Sequence, residues 1–200
     1  MKQASSMATS LDLLPTSLPL VARLIAENDL TAHDRRNIRS LLIAAYPQYE
    51  HLWTQQDFWG GPAEYRLLLL ERTGRLAAHL GFARRLIKVG EEAVLIAGIG
   101  AVAVLPDLQG QQVGRQLLRD LRQCLCRDLP VDFGFLQCRD AVVGFYAKAG
   151  FSRIGQQVRS FDPDKRLWQI DDAAAMVLPA KAPIDTWPAH GLIDLMGMPW

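Results

Sequence analysis

Cysteine is scarce in this sequence, and the few thiols that are present follow no recognisable pattern. Only three of the 200 residues are cysteines, at Cys124, Cys126 and Cys138. An odd number cannot form a complete set of disulfides within the chain, and these spacings do not match those of zinc sites. We therefore expect reduced thiols with no metal site, as is typical of a cytoplasmic protein.

Charge of one sign and long apolar runs are also lacking. Lys and Arg number 22 against 21 Asp and Glu, so the formal net charge is +1. A nearly balanced charge provides no electrostatic footprint for nucleic acid. No apolar run approaches the roughly 20 residues of a membrane-spanning helix. Pro15, Pro19 and Arg23 interrupt the partly apolar segment near the start. We expect no nucleic-acid partner, no membrane partner and no signal peptide.

The residues that are present are typical of one folded domain. Half of them are hydrophobic and 22% are charged, which is ordinary for a soluble globular protein. A chain of 200 residues is long enough to bury a sizeable core. No internal repeat or low-complexity linker divides the sequence. We expect residues 1–16 to be a flexible segment and residues 17–200 to form a single domain.

Hydrophobic periodicity predicts the order of the secondary-structure elements. Thr31 is a suitable N-cap for an amphipathic helix over residues 32–45, which ends before Pro47. Thr73 and Gly74 predict a hairpin turn. The remaining patterns predict strands over residues 18–26, 66–71, 75–87, 93–105, 131–137, 151–157 and 173–178, and helices over residues 113–127 and 139–149.

The most informative segment is a loop that connects a strand to a helix. Residues 104–118 read VLPDLQGQQVGRQLL, so an apolar strand ends near Pro106 and an amphipathic helix begins near Val113. The N-terminus of a helix presents unpaired backbone N–H groups and the positive end of the helix dipole. This arrangement binds phosphate without a lysine or a metal.

A second informative segment is a short helix that ends at a glycine. Residues 141–151 read AVVGFYAKAGF, in which Gly150 is suited to the left-handed conformation of a helix C-cap and Phe151 begins the next strand. An apolar run over residues 131–136 separates this segment from the first one.

The two segments together resemble the hallmarks of the GNAT acyltransferase superfamily. The pattern Gln/Arg-x-x-Gly-x-Gly/Ala has its first position at Gln109 and its last at Gly114, whereas Gln112 replaces the central glycine. The resemblance implies an α/β (α+β) fold with a mixed, mostly antiparallel twisted sheet. It also implies helices on both faces of the sheet and a V-shaped splay between two parallel strands, here residues 97–105 and 131–137.

The resemblance also implies a site for the thioester donor, with acetyl-CoA or CoA as the cofactor. The pantetheine arm would pair with the backbone of the strand before the loop, like an added strand. A side chain at Gln112 would crowd the pyrophosphate, where a glycine would leave the approach free. The residues implied are Val102, Ala103 and Val104 for the arm, and Gln109, Gly110, Gln111, Gln112, Val113, Gly114 and Arg115 for the pyrophosphate.

Tyr146 is the candidate catalytic residue that the resemblance implies. A phenol at this position would act as a general acid toward the departing thiolate. The alternative is a core aromatic residue, because Phe145 and Tyr146 are adjacent and one of them must face inward. No general base is assigned, because the strand over residues 95–102 holds no carboxylate. Asp140, His79 and Asp194 are candidates for it.

Two further resemblances concern the acceptor. Residues 76–90 and 182–194 look like the nodulation protein A acyltransferases, and the segment 197–200 is similar to the ending of aminoglycoside 2′-N-acetyltransferases. Both imply an amine on an amino sugar as the acceptor. Aromatic rings would suit sugar faces and carboxylates would suit a cationic sugar, although core packing is an equal alternative for the tryptophans. The candidate substrate residues are Trp53, Trp59, His79, Asp194 and Trp200.

The function predicted from these observations is N-acyl transfer from a CoA thioester to a primary amine in a ternary complex, with acetyl favoured. One alternative is transfer of a longer chain from acyl carrier protein to an amino-sugar oligomer, with a tunnel opened by Gly98, Gly100 and Ala101. Another is a GNAT protein that binds CoA or a small ligand without catalysis. A homodimer is also left open.

Overall fold

The computed structural model describes residues 20–200, so the prediction for residues 1–16 lies outside the described part of the chain. Residues 20–200 form ten strands and four α-helices. In chain order these elements are β1 Val21–Ala26, α1 Ala32–Ala45, α2 Glu50–Trp53, β2 Tyr65–Leu70, β3 Leu76–Val89, β4 Glu92–Val104, α3 Val113–Arg127, β5 Phe133–Cys138, α4 Asp140–Lys148, β6 Ser152–Ile154, β7 Val158–Asp162, β8 Leu167–Asp171, β9 Ala174–Pro179 and β10 Ile193–Asp194.

The strands form a single mixed sheet in the order β6-β9-β5-β4-β3-β10-β7-β8, and β2 pairs with β3 and with β1. β2 pairs with β3 at residues 76–82, whereas β10 pairs with β3 at residues 88–89. Within the described residues, only the β4–β5 and β10–β7 pairs are parallel. The predicted mixed, mostly antiparallel sheet is therefore confirmed.

Helices cover both faces of this sheet, as predicted. Alternate residues of a strand point to opposite faces. Leu67 and Leu69 of β2 pack in the same core cluster as the apolar face of α3, whereas Leu68 packs with α1. α1 has the predicted bounds because Thr31 and Asp34 form a reciprocal capping box at its start. No helix within residues 20–200 is long and apolar enough to cross a membrane.

The two central parallel strands separate, as the resemblance to the GNAT superfamily implies. β4 and β5 are paired only over residues 96–98 and 133–135, although β4 continues to Val104 and β5 to Cys138. Ala101 has φ +50° and lies where the register between β3 and β4 shifts. This bulge twists the free half of β4 away from β5.

The second half of the chain differs from the prediction in three strands. The strand predicted over residues 151–157 ends at Ile154 as β6, and a separate strand that was not predicted, β7, begins at Val158. β6 lies beside β9 at one edge of the sheet, whereas β7 lies beside β8 at the other edge. β8 was missed because Leu167, Trp168 and Ile170 are all exposed and do not follow the alternation of a half-buried strand. β10 has only two residues, which is too short for a periodic signal.

Candidate active site

A cavity of about 780 Å³ lies where β4 and β5 diverge. Its walls come from the end of α1, the free half of β4, the loop before α3, the end of β5, and α4. The main lining residues are Tyr46, Tyr49, Trp59, Gly100, Val102, Val104, Gln109, Gly110, Gln112, Val113, Gly114, Arg115, Gln137, Cys138, Arg139, Val142, Phe145, Tyr146, Asp171, Pro199 and Trp200.

The loop before α3 leaves the first backbone donors of the helix open to this cavity. The first hydrogen bond of the helix runs from the Gln116 N–H to the Gln112 carbonyl, at 3.0 Å. The N–H groups of residues 112–115 therefore have no partner within the helix. No side chain caps this terminus, and no acidic residue lies in the first turn. These features fit the phosphate-binding role that the sequence implies.

Gln112 adopts the conformation that glycine would favour. Its φ of +66° lies in the left-handed region, which costs an L-residue about 1–2 kcal/mol. The side chain is exposed, and its Oε1 accepts a hydrogen bond from Arg115 Nη1 at 3.0 Å. The backbone of the loop thus has the glycine-like geometry without the glycine.

Gly114 is required for close packing at the same end of the cavity. A Cβ atom at Gly114 would lie only 2.9 Å from Cζ of Phe145. The absence of a side chain lets the first turn of α3 approach α4, which carries Tyr146. This contact fixes the distance between the loop before α3 and the candidate acid.

The free edge of β4 presents two residues to the splay. Val102 accepts a hydrogen bond from the Tyr46 hydroxyl through its carbonyl oxygen, and Val104 accepts one from Gln109 Nε2 at 3.2 Å. Ala103 faces the other way, because main-chain groups alternate along a strand and the next residue but one, Leu105, donates its N–H to Ala77. Two of the three residues predicted for the pantetheine arm therefore direct their main-chain groups to the cavity. Ala103 is a correction, since its main-chain groups serve the sheet.

Tyr146 lines the cavity and also belongs to the core. Its ring packs edge-on against Phe145 and Phe151, with centroid distances of 5.0 and 5.4 Å and interplanar angles of 67°. Burial raises the pKa of the Tyr146 hydroxyl well above its usual value. The phenol is therefore protonated at neutral pH, as a general acid must be.

Three predicted substrate residues lie away from the cavity lining, and His79 is the clearest correction. Its ring is fully buried, with Nδ1 3.0 Å from the Ala101 carbonyl oxygen and Nε2 3.4 Å from Nη1 of Arg66. Burial and the Arg66 charge lower the pKa of His79 to about 3. The ring is thus neutral and supports the β4 bulge, and it cannot reach a substrate as a base.

Trp53 and Asp194 are likewise structural. Trp53 is fully buried in the core beside α1. Asp194 of β10 accepts hydrogen bonds from Arg159 and from the Met196 N–H. Asp140, the other candidate base, is exposed in an ion pair with Arg153 at 3.0 Å. Only Trp59 and Trp200 of the predicted substrate residues line the cavity.

Several lining residues were missed in the sequence, and Asp171 is the most informative. It is the only Asp or Glu among the described lining residues. It is the last residue of β8, a strand that the sequence pattern did not reveal, so its position could not be predicted. Tyr46 and Tyr49 lie in the segment between α1 and α2, for which no motif was predicted. No cluster of three potential metal ligands occurs within residues 20–200.

Known proteins similar to this chain identify its family. A family model described as Nodulation protein A (NodA) matches residues 19–199. Nodulation protein A of Methylobacterium nodulans is 32% identical over 191 residues, which cover 88% of this chain and 87% of the relative. Nodulation protein A of Bradyrhizobium sp. (strain NC92) is 35% identical over 150 residues, which cover 70% of each protein.

Solved structures show the same fold. A GNAT family N-acetyltransferase from Escherichia coli in complex with CoA has a TM-score of 0.59 at 17% identity, covering 96% of this chain and 93% of that one. The ribosomal-protein-S18-alanine N-acetyltransferase from Escherichia coli has a TM-score of 0.52 at 21% identity, covering 84% and 99%. The predicted fold and enzyme class are thereby confirmed. The chain belongs to the nodulation protein A family and is an acyltransferase with the GNAT fold.

Proposed function

We propose that this acyltransferase moves an acyl group, with acetyl favoured, from a CoA thioester to a primary amine on an amino sugar, by direct transfer in a ternary complex. One observation carries the proposal. The open N-terminus of α3 and the buried phenol of Tyr146 line the same cavity, at the splay between β4 and β5. Groups that could bind a phosphate-bearing donor and a group that could donate a proton would thus act at one site.

The donor would be held mainly by main-chain groups. The N–H groups of residues 112–115 would bind the pyrophosphate. The pantetheine arm would pair with the main chain of Val102 and Val104. For this, the hydrogen bonds from Tyr46 and Gln109 to the carbonyl oxygens of these two valines would have to break. The bound thioester would supply an acyl carbon that is open to attack by an amine.

Tyr146 would provide the proton that the leaving group needs. When the amine nitrogen forms its bond to the acyl carbon, the carbon–sulfur bond breaks and the phenolic proton passes to the sulfur. Burial keeps this phenol protonated. The amine loses one proton in the same reaction, and Asp171 is the only carboxylate of the described lining that can help to accept it.

The side of the cavity near Asp171 supports a cationic sugar as the acceptor. Asp171 is exposed, and its Oδ1 accepts a hydrogen bond from the Ala173 N–H at 2.8 Å, so the carboxylate is held at the rim. Tyr49 and Trp59 line the same cavity and are in edge-to-face contact, with a centroid distance of 4.8 Å. A carboxylate attracts an ammonium group, and flat aromatic rings pack on sugar faces.

Thermal unfolding with CoA and with acetyl-CoA tests the donor part of this proposal. A ligand at about a hundred times its Kd adds about 2.7 kcal/mol to the stability, which gives a clear rise in Tm. An amine screen with aminoglycosides and glucosamine oligomers would follow, with Tyr146→Phe as the catalytic control. CoA binding without turnover of any amine would instead favour a non-catalytic CoA-binding protein. The absence of any binding by a folded protein would contradict the proposed donor site.

A second candidate is transfer of a longer acyl chain from acyl carrier protein to an amino-sugar oligomer. The observation in its favour is a groove of about 630 Å³ beside the phosphate-binding loop, with basic side chains along it. These are Arg115, Arg119 and Arg122 of α3 and Lys148 of α4. None of them forms a salt bridge within residues 20–200.

Assays with acetyl-CoA and with acyl carrier protein thioesters distinguish the two candidate donors. Such a basic stripe suits the acidic surface of a carrier protein and equally the phosphates of CoA. If acyl carrier protein is the donor, Arg119→Glu and Arg122→Glu should abolish transfer from it while acetyl-CoA remains unused. Transfer from acetyl-CoA, with none from carrier-protein thioesters, would rule out this candidate.

A further inference from the structure

The sheet has three strands that pair on one side only within residues 20–200, namely β1, β6 and β8. An open edge can join a strand of another chain, and proteins block such edges with charged side chains or with very short strands. β1 carries Arg23 near its centre, and β6 has only three residues with Arg153 in the middle. β8 has five residues, and its central three carry no charge. β8 is therefore the edge that is best suited to pair with a further strand.

Two large apolar side chains of β8 are left half exposed. Trp168 and Ile170 point to the same face of the sheet, with exposed fractions of 49% and 53%. The Trp168 ring packs against Phe161 of β7 at a centroid distance of 5.6 Å, and the Arg159 guanidinium lies over it, with Cζ 5.1 Å from the centroid. The ring is therefore held in place by its own chain while half of it stays available for a partner.

The two ends of β8 carry charges of opposite sign. Lys165 and Arg166 come just before the strand, whereas Asp171 and Asp172 lie at its end, and all four are exposed. Arg166, Asp171 and Asp172 form no salt bridge within residues 20–200. An antiparallel copy of the same strand brings the basic end of each copy beside the acidic end of the other. A parallel copy would instead place like charges together, which is unfavourable.

One register of such a pair matches both the apolar residues and the charges. When a two-fold axis relates two antiparallel copies of a strand, one residue lies opposite its own copy. With Gln169 on the axis, Trp168 lies opposite Ile170 of the partner subunit, and Arg166 lies opposite Asp172 of the partner subunit. An axis at Trp168 or at Ile170 would instead place one of these apolar side chains opposite a charged residue. Aromatic–β-branched pairs and opposite-charge pairs stabilise a sheet, so the axis at Gln169 is favoured.

We propose that β8 is the interface of a homodimer, in which two copies of the strand pair antiparallel about Gln169 and join their sheets into one. The inference goes beyond the proposed function and does not depend on it. The interface is isologous, because each copy contributes the same surface. Asp171 lines the cavity, and in the dimer Leu167 of the partner subunit lies opposite it. Each copy thus adds a side chain to the rim of the other copy's cavity.

Sedimentation equilibrium of the full chain over a range of concentrations tests the interface. We expect a monomer–dimer equilibrium with a Kd in the micromolar range, which approaches twice the 22.3 kDa of one chain. Arg166→Glu and Asp172→Arg should each weaken the dimer about tenfold, because each creates two like-charge pairs across the axis. The double variant should restore the wild-type Kd. Lys181→Glu is the control, since this exposed cation lies outside β8 and its reversal should leave the Kd unchanged.

A disulfide at the axis tests the register. Opposite residues of antiparallel strands have Cα atoms about 4.5–5.5 Å apart, which is within the reach of a disulfide. Oxidation of Gln169→Cys should therefore give a covalent dimer on a non-reducing gel. Leu167→Cys is the matched control on the same face, because its two copies would be about 13 Å apart or more along the strands. The wild type, with its three free cysteines, gives the background.

Several results would overturn this dimer. A wild type that stays monomeric at every concentration refutes it, and amine cross-links from Lys165 to Lys2 within such a monomer would show that the chain covers its own edge. A dimer that is insensitive to Arg166→Glu and Asp172→Arg would have its interface elsewhere. Equal cross-linking of Leu167→Cys and Gln169→Cys would contradict the register. None of these measurements uses activity, so the dimer and the proposed function can fail separately.

Discussion

The two ends of the cavity present different kinds of groups, main-chain groups at the outer end and side chains at the inner end. At the outer end, the N–H groups of residues 112–115 and the edge of β4 offer main-chain donors and acceptors, and the side chain at Gln112 points away to Arg115. At the inner end and along the rim, Trp200, Trp59 and Asp171 offer side chains. The outer end can therefore bear a substitution such as Gln112 for glycine, whereas the inner end depends on the size of each side chain.

The substitution expected to have the largest effect on activity lies between the two ends, at Tyr146. Tyr146→Phe removes the phenolic proton and keeps the packing of the ring against Phe145 and Phe151. We expect kcat to fall about 100-fold or more, while the Kd for CoA stays unchanged. Steady-state kinetics and calorimetry measure the two quantities. A loss of CoA affinity comparable to the loss in kcat would show that Tyr146 acts on binding or packing.

Gly98→Ala tests whether the inner end depends on side-chain volume. The added methyl group would overlap the Trp200 ring, and forced overlap of this kind costs about 1–3 kcal/mol. The free energy of unfolding in urea should fall by this amount. Gly155→Ala is the control, because a Cβ at Gly155 meets no atom within 4 Å. Equal stability of the two variants would mean that the ring is not seated on Gly98.

Asp171→Asn tests the rim of the same end. If the carboxylate attracts the ammonium group of the acceptor, the KM for a cationic amino sugar should rise about tenfold, with the Kd for CoA unchanged. Asp172→Asn removes an identical charge from the next residue, which is exposed and does not line the cavity. A similar rise in KM in both variants would mean that the effect comes from the net charge of this region and not from Asp171 itself. A pH profile that shifts only in Asp171→Asn would indicate that this carboxylate also accepts the proton.

The buried His79 side chain, which contacts the bulge of β4, predicts that stability depends on pH. His79 is neutral in the fold, with a pKa lowered from 6.5 to about 3, so the unfolded chain binds one more proton between these values. The contribution of His79 to the free energy of unfolding should therefore be fully present above pH 6.5. It should decrease as the pH falls below 6.5, by up to about 1.4 kcal/mol per pH unit. His79→Asn should flatten this slope in urea unfolding. His33→Asn, at an exposed position, should leave it unchanged.

The smallest effect is expected at the outer end, from Gln112→Gly. Relief of the left-handed conformation is partly offset by the larger chain entropy of glycine, so stability should rise by less than about 1 kcal/mol. The Kd for CoA should remain the same or improve slightly, because the main-chain donors are unchanged. A large loss of CoA affinity would instead give the Gln112 side chain a direct part in binding.

The sequence predicted the elements whose signals are local. Thr31 and Pro47 bracket α1 with the observed bounds, and the loop before α3 with its open helix N-terminus lies where the sequence places it. The splay between the two central strands was expected from the resemblance to the GNAT superfamily. What could not be predicted depends on contacts between distant residues. Trp200 rests on Gly98 across about a hundred residues, and a glycine pattern alone suggests a close approach without naming what approaches.

The two-residue strand β10 has a consequence for how the molecule is assembled. β8 pairs only with β7, and β7 is linked to the rest of the sheet through β10 and the residues just after it. During synthesis the β7–β8 hairpin leaves the ribosome before residues 193–197, so it has no neighbouring strand to join until they follow. The rim that carries Asp171 is thus expected to be among the last parts to become ordered, because contacts distant in sequence form slowly. Until then the hairpin presents an open edge, with Trp168 and Ile170 exposed, to chaperones or to other nascent chains.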